Sequence, residues 1–146
     1  MRRIIGGTLL VLALLASPAA AVERPFKLQG TTEIIGNPFA PSGARMRGVG
    51  QATHLGRWVN EGTLFFDGST GPPFPALAIV NFTTANGDEL DITVVGTLDP
   101  SGTATANFYI LGGTGRFANA SGGGDFSAQP NADGTLSYTA NGVINY

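Results

Sequence analysis

Apolar and polar residues alternate along this chain with a period of two, and three segments show it best. From Glu89 to Leu98, Leu90, Ile92, Val94 and Leu98 share one face, opposite Glu89, Asp91, Thr93 and Thr97. Ala104, Ala106, Phe108 and Ile110 alternate with Thr103, Thr105, Asn107 and Tyr109. Leu136, Tyr138, Ala140, Ile144 and Tyr146 oppose Thr135, Ser137, Thr139, Asn141 and Asn145. Successive side chains of a strand point to opposite faces, so this pattern predicts strands with one apolar side. No segment after Val22 offers two uninterrupted helical turns with an apolar stripe. The chain reads as all-β, with about eight strands: Phe26–Ile35, Arg45–Thr53, Arg57–Phe66, Ala76–Thr84, Glu89–Leu98, Thr103–Leu111, Gly123–Ala128 and Thr135–Tyr146.

Turn-forming residues fill the gaps: Asn37-Pro38, Pro41-Ser42-Gly43, Asp67-Gly68, Gly71-Pro72-Pro73, Asn86-Gly87, Asp99-Pro100-Ser101-Gly102 and Asn131-Ala132-Asp133-Gly134. Asn86-Gly87 is the strongest hairpin signal and predicts a type I′ turn. His54-Leu55-Gly56 reads as a turn or as a bulge in one long strand. Connections this short favour pairing of sequential strands. The predicted architecture is an eight-stranded antiparallel up-and-down β-barrel, whose closure leaves no unpaired edge.

The first 21 residues lie outside this pattern. Arg2 and Arg3 precede an apolar run of 12 residues, Ile4 to Leu15, and Ser17-Pro18-Ala19-Ala20-Ala21 resembles a cleavage site of small residues. The run falls short of the roughly 20 residues that cross a bilayer, so a cleaved signal peptide is expected rather than a membrane span. The expected division is residues 1–21 as signal and 22–146 as one barrel domain, secreted or periplasmic after cleavage near Ala21. Removing Arg2 and Arg3 leaves six basic residues against ten acidic ones, a net charge of −4. That balance, without a basic cluster, argues against nucleic acid and anionic membranes as partners. The chain has no Cys, which excludes disulfides, thiol nucleophiles and thiolate metal sites.

Gly113-x-Gly115-x-x-Ala118 matches the spacing of a dinucleotide-binding turn, which needs a helix next to hold the pyrophosphate. Asn119-Ala120-Ser121-Gly122-Gly123-Gly124 follows instead, and such a run does not sustain a helix. The segment is therefore expected to be a glycine-rich corner between strands, with Phe117 plugging one barrel end.

Four segments together carry a family resemblance. Gln51-Ala52-Thr53-His54-Leu55-Gly56-Arg57, Thr84-Ala85-Asn86-Gly87-Asp88, Gly112-Gly113-Thr114-Gly115-Arg116-Phe117 and Gly122-Gly123-Gly124 resemble small secreted bacterial proteins of the allene oxide cyclase and dirigent barrel superfamily. The resemblance spans most of the chain after the signal. It implies an eight-stranded barrel with a central cavity, often trimeric in the plant relatives, where the cavity handles hydrophobic, oxygenated small molecules. The ionisable cavity residues of cyclases and dirigent proteins have no residue-by-residue match here, so the resemblance carries the barrel and not the activity.

Candidate ligand contacts are few. His54 is the sole histidine, with Arg57 and Glu61 nearby in sequence and no G-x-S-x-G elbow to make a hydrolase of it. Arg116 lies in the glycine corner, able either to clamp an anion or to pair with an acid such as Asp125. Asp125 would be a candidate acid or base if it faced an apolar interior. Asp88, Glu89 and Asp91 lack the spacing of a calcium loop, and no metal or cofactor is expected. Trp58, Phe66, Phe82, Phe108, Phe126 and Tyr138 lie on different strands and could line one cavity, with Ala76, Ala78, Gly96, Ala104, Ala106 and Gly142 leaving room in it. The ligand set predicted from sequence is His54, Arg57, Trp58, Arg116, Asp125 and Tyr138, with no catalytic residue assigned. Three readings stand: a barrel binding a small apolar or amphipathic molecule without catalysis, a cofactor-free isomerase or cyclase, and a structural oligomeric module assembling as a dimer or trimer.

Overall fold

The computed structural model describes residues 21–146, so the expected signal peptide lies almost wholly outside the described residues. Eight strands follow in order: β1 (Glu23–Ile35), β2 (Ala44–Ala52), β3 (Gly56–Phe66), β4 (Phe74–Thr84), β5 (Glu89–Leu98), β6 (Ala104–Gly113), β7 (Ser121–Pro130) and β8 (Leu136–Asn145). Each pairs antiparallel with the next, and β8 returns to β1 to close the barrel. The predicted up-and-down barrel is thus the observed fold. Strand β7 runs longer at both ends than the sequence pattern suggested: Ser121 and Gly122 pair with Asn145 and Ile144 of β8, and Gln129 and Pro130 with Ser137 and Leu136.

One phase runs through the whole barrel. Phe26, Leu28, Met46, Trp58, Leu64, Val80, Phe82, Leu90, Ile92, Phe108, Ile110, Tyr138, Ala140 and Ile144 are all buried and all even-numbered. Partner positions sum to an even number in seven of the eight strand pairings. The pairing of β5 with β6 keeps that parity from Ile92 onward and shifts by one residue at Asp91/Ile92, a bulge beside the glycine corner. The alternation read from sequence therefore becomes a single inner face on all eight strands. Odd positions of β1, β2 and β8 carry Lys27, Glu33, Arg45, Arg47, Thr139 and Asn141 outward, exposed. Outward positions also include exposed Val49, Val59, Ile79, Val95 and Leu111, so the outer face is mixed while the inner face is apolar. Among the described residues no helix is long and apolar enough to cross a membrane.

Three of the hairpins share one design. Gly87 N–H donates to Thr84 O, Gly102 N–H to Asp99 O and Gly134 N–H to Asn131 O, at 3.0, 3.0 and 3.1 Å, and each glycine has φ near +88°. This is a type I turn followed by a left-handed glycine bulge, which restores the strand twist. The type I′ turn expected at Asn86-Gly87 does not form, since Asn86 lacks the positive φ that such a turn demands of both central residues. Asp99 and Asp133 fasten their turns by accepting Ser101 and Thr135 N–H at 2.9 and 3.0 Å. These bonds favour the charged carboxylate and hold both acids below their ordinary pKa, the Ser101 and Thr135 side chains being the largest cause.

The glycine corner contains one 3-10 turn, Gly115–Phe117, and no α-helix, so the dinucleotide reading fails as the sequence indicated. Phe117 is fully buried and closes this end of the barrel together with Leu55, Leu90 and Ile144. Tyr146 packs edge-on to Phe117 with ring centroids 5.2 Å apart. Arg24 lies 4.2 Å over the Tyr146 ring, and Arg116 lies 4.6 Å over Phe117.

Candidate functional site

The two barrel ends are unlike. The end formed by residues 53–55, 85–88 and 114–120 is solid, filled by the aromatic plug. The other, formed by the connections 36–43, 67–73, 99–103 and 131–135, leads into an apolar chamber of about 250 Å³.

Register explains why the chamber exists. Phe66 pairs with Ala76, Ala76 with Gly96, Gly96 with Ala106 and Ala106 with Phe126. Three small residues thus lie side by side on the inner face between two phenylalanines, and the volume that larger side chains would occupy stays open. Ala104, Ala128 and Ala78 extend the gap on neighbouring rows. Below them Met46, Ala78, Val94, Phe126 and Tyr138 form a floor, under which only a void of about 20 Å³ remains. Of the aromatics expected to line one cavity, Phe66, Phe126 and Tyr138 line the chamber. Trp58, Phe82 and Phe108 instead pack in the solid half, and Gly142 sits there too, against the β7 backbone at Gly123 and Gly124.

Glycines seat the solid half as well. Tyr138 pairs with Gly30, Gly30 with Gly50 and Gly50 with Trp58. A Cβ on Gly30 or Gly50 would run into the Trp58 ring. Their absence of side chains lets the indole lie across the interior, near-parallel to Tyr138 with centroids 5.9 Å apart and edge-on to Phe82 at 4.8 Å.

A buried polar patch adjoins Tyr138, and only its Thr32 lines the chamber. Thr32 on β1 and Asn60 on β3 are both 1% exposed, and they flank Gly48 on one inner row. A Cβ on Gly48 would lie 2.6 Å from Asn60 Oδ1, so this glycine makes room for the amide. Tyr138 donates its hydroxyl to Asn60 Oδ1 at 3.3 Å. Burial pushes the Tyr138 phenol far above its ordinary pKa of 10.0, so it stays neutral. Asn60 Nδ2, Thr32 Oγ1 and Trp58 Nε1 have no partner within the described chain. Neither Thr32 nor Asn60 was singled out in the sequence. The signal was present: each is a polar residue in the apolar phase of its strand, between Leu28 and Ile34 and between Trp58 and Leu64.

The structure separates the six predicted ligand residues. Tyr138 lines the chamber, and Trp58 is buried below it. His54 lies at the plugged end in a left-handed conformation, φ +68°, its Nε2 3.0 Å from Pro25 O and its ring edge-on to Tyr146. Arg116 is also at that end, exposed, and pairs with Asp88 at 3.3 Å rather than with Asp125. Gly115, φ +57°, permits this, because a Cβ there would strike the Asp88 carboxylate. Arg57 and Asp125 point outward, each beside a shallow solvent-facing hollow on the barrel wall. The apolar-interior carboxylate considered for Asp125 is therefore not observed: Asp125 follows Gly124 on the odd, outward phase. Among the described residues no three His, Asp or Glu side chains converge as a metal site would require. The lining of the chamber includes no Asp, Glu, His, Lys or Arg. Comparison with protein-family models, curated proteins and solved structures finds no match to this chain.

Proposed function

We propose that the protein is an exported barrel that holds a small, largely apolar molecule in its chamber and releases it unchanged. The observation that carries this reading is the chamber itself: an apolar interior space of about 250 Å³ open toward one barrel end. A cavity of ~150 Å³ with apolar walls accommodates benzene, so 250 Å³ suits roughly ten non-hydrogen atoms. Eight strands give an interior of the size that holds one small ligand. The walls offer no acid or base beyond a neutral phenol, which supports binding over the isomerase or cyclase alternative. The motif resemblance to the allene oxide cyclase and dirigent superfamily supports a barrel of this kind in which the ligand site outlasts the family's chemistry.

The reading is tested by native mass spectrometry of the protein purified from its own host. The expected result is a retained species of the size the chamber admits. Absence of any retained species, together with unchanged methyl NMR shifts of Leu64, Val94 and Leu136 on saturation with nonane, would overturn it. A second reading, assembly of copies as a dimer or trimer, is favoured by one surface. Leu77, Ile79, Val95, Tyr109 and Leu111 are exposed on the outer face of β4 to β6, unlike the charged outer face of β1 and β2. Light scattering on the eluted protein separates monomer from assembly.

A further inference from the structure

The chamber has a depth as well as a volume. Its lining runs from Val94 to Leu98 on β5 and from Phe126 to Pro130 on β7, four residues along each strand. Four residues rise about 13 Å along a strand, and the tilt of barrel strands reduces that to about 10 Å of depth along the axis. The inner end is closed: Met46, Ala78, Val94, Phe126 and Tyr138 separate the chamber from the small void beneath. C–C bonds of about 1.52 Å meeting at about 111° advance about 1.25 Å per carbon, so an extended chain covers the depth with about eight carbons. Room for roughly ten non-hydrogen atoms over that depth admits one such chain and not a second.

The polar part of a ligand has no place inside. Of the polar side chains along the lining, Tyr138 gives its hydroxyl to Asn60, Thr32 Oγ1 is shut off from the space, and Thr97 lies on the outward phase of β5. A head group carried down would lose its hydration uncompensated. At the mouth it stays in water, among the connections 36–43, 67–73, 99–103 and 131–135. These carry Asp67, Asp99 and Asp133 and no Lys, Arg or His. Ser69, Ser101 and Thr135 N–H donate to the three carboxylates at 2.9, 2.9 and 3.0 Å, which favours their charged form. Such a mouth repels a carboxylate head and tolerates a neutral or cationic one. We propose that the chamber gauges chain length: it takes a single-chain, non-anionic amphiphile of about eight carbons, methyl end first, and leaves the head group at the mouth. This rests on the reading of the chamber as a binding site.

The test titrates the purified protein with 1-alkanols from butanol to dodecanol at neutral pH, read by methyl NMR of Leu64, Leu98 and Leu136, which line the chamber. Each added carbon is expected to tighten binding about fourfold, the worth of a buried methylene, as far as about octanol, and to change it little beyond. Val94→Ala lowers the floor and should move that break about two carbons longer; Ala78→Val, its neighbour on β4, raises the floor and should move it about two shorter. Either variant carries the test should the other fail to fold. Octanoate should bind several-fold more weakly than octanol at low salt, the gap narrowing as salt screens the mouth. An unbroken rise through dodecanol, a break that neither variant moves, or octanoate binding as tightly as octanol overturns the proposal and leaves the chamber reading standing. Failure of every alkanol to bind overturns the chamber reading and this proposal with it.

Discussion

Ala76→Leu puts a number on the chamber. Ala76 faces inward on β4, between Phe66 and Gly96 in the register, and lines the open space. Leucine adds three carbons, about a third of the roughly ten non-hydrogen atoms the chamber admits. Burying them is worth about 0.8 kcal/mol each, or about 2.4 kcal/mol. Ordering the longer side chain removes about 0.5–1 kcal/mol, leaving a net stabilisation of about 1.5 kcal/mol. For a barrel of this size that is roughly 5 °C in Tm. Ala104→Leu, two strands along the wall on β6 and also lining the chamber, should act similarly. The double variant should leave too little room for nonane. Thermal melts by circular dichroism give the stability and methyl NMR the binding. Most core Ala→Leu changes overpack and destabilise by about 1–3 kcal/mol. A loss of that size at both positions would refute the open chamber. Stabilisation with undiminished nonane binding would instead place the ligand elsewhere.

Other expectations follow from the same contacts. Gly50→Ala should cost about 1–3 kcal/mol in urea unfolding, because its methyl meets the Trp58 ring with backbone behind it. Tyr138→Phe should cost about 1 kcal/mol by leaving the Asn60 carbonyl unpartnered, and Tyr138→Phe with Asn60→Leu should recover most of it. The raised pKa of Tyr138 sets a sign at high pH: above 10.0 the unfolded chain loses the phenolic proton and the folded barrel keeps it, so the unfolded state binds fewer protons and stability falls as pH rises. Melts from pH 9 upward should show the decline, and Tyr138→Phe should flatten it. The lowered Asp99 and Asp133 give the opposite sign at low pH, where stability present above the unfolded carboxylate value is lost as pH falls, and Asp99→Asn with Asp133→Asn should blunt that loss in acid melts. Arg116→Ala should change stability by less than about 1 kcal/mol, since its pair with Asp88 is exposed to solvent, and should leave nonane binding unaltered.

Much of the barrel was legible in the sequence because strand alternation is a local property. A residue such as Val94 points to the same side as Ile92 whatever its neighbours do, and Asp99-Pro100-Ser101-Gly102 turns the chain whatever it turns toward. Closure followed from eight such strands joined by short connections. The same reasoning located Phe117 as a plug and denied the glycine corner a nucleotide. It succeeded less well with charged residues. Arg116, Arg57 and Asp125 drew attention for their chemistry, yet their strand phase or corner position sends them to solvent. Asp88 was the partner of Arg116 only because the bulge at Asp91/Ile92 and the left-handed Gly115 bring the β4–β5 turn against the corner.

What tertiary structure alone decided is which inner-face residues become neighbours. Ala76, Gly96 and Ala106 are small residues scattered over thirty positions of sequence, and only the register of β4, β5 and β6 sets them in one row to open a chamber. Thr32, Gly48 and Asn60 are likewise ordinary until β1, β2 and β3 align them, when the glycine makes space for an amide whose donors then lack a partner. Periodicity fixes the direction of each side chain, a matter of one strand. Volume and hydrogen bonding depend on sums across strands, and those exist only once the barrel has closed.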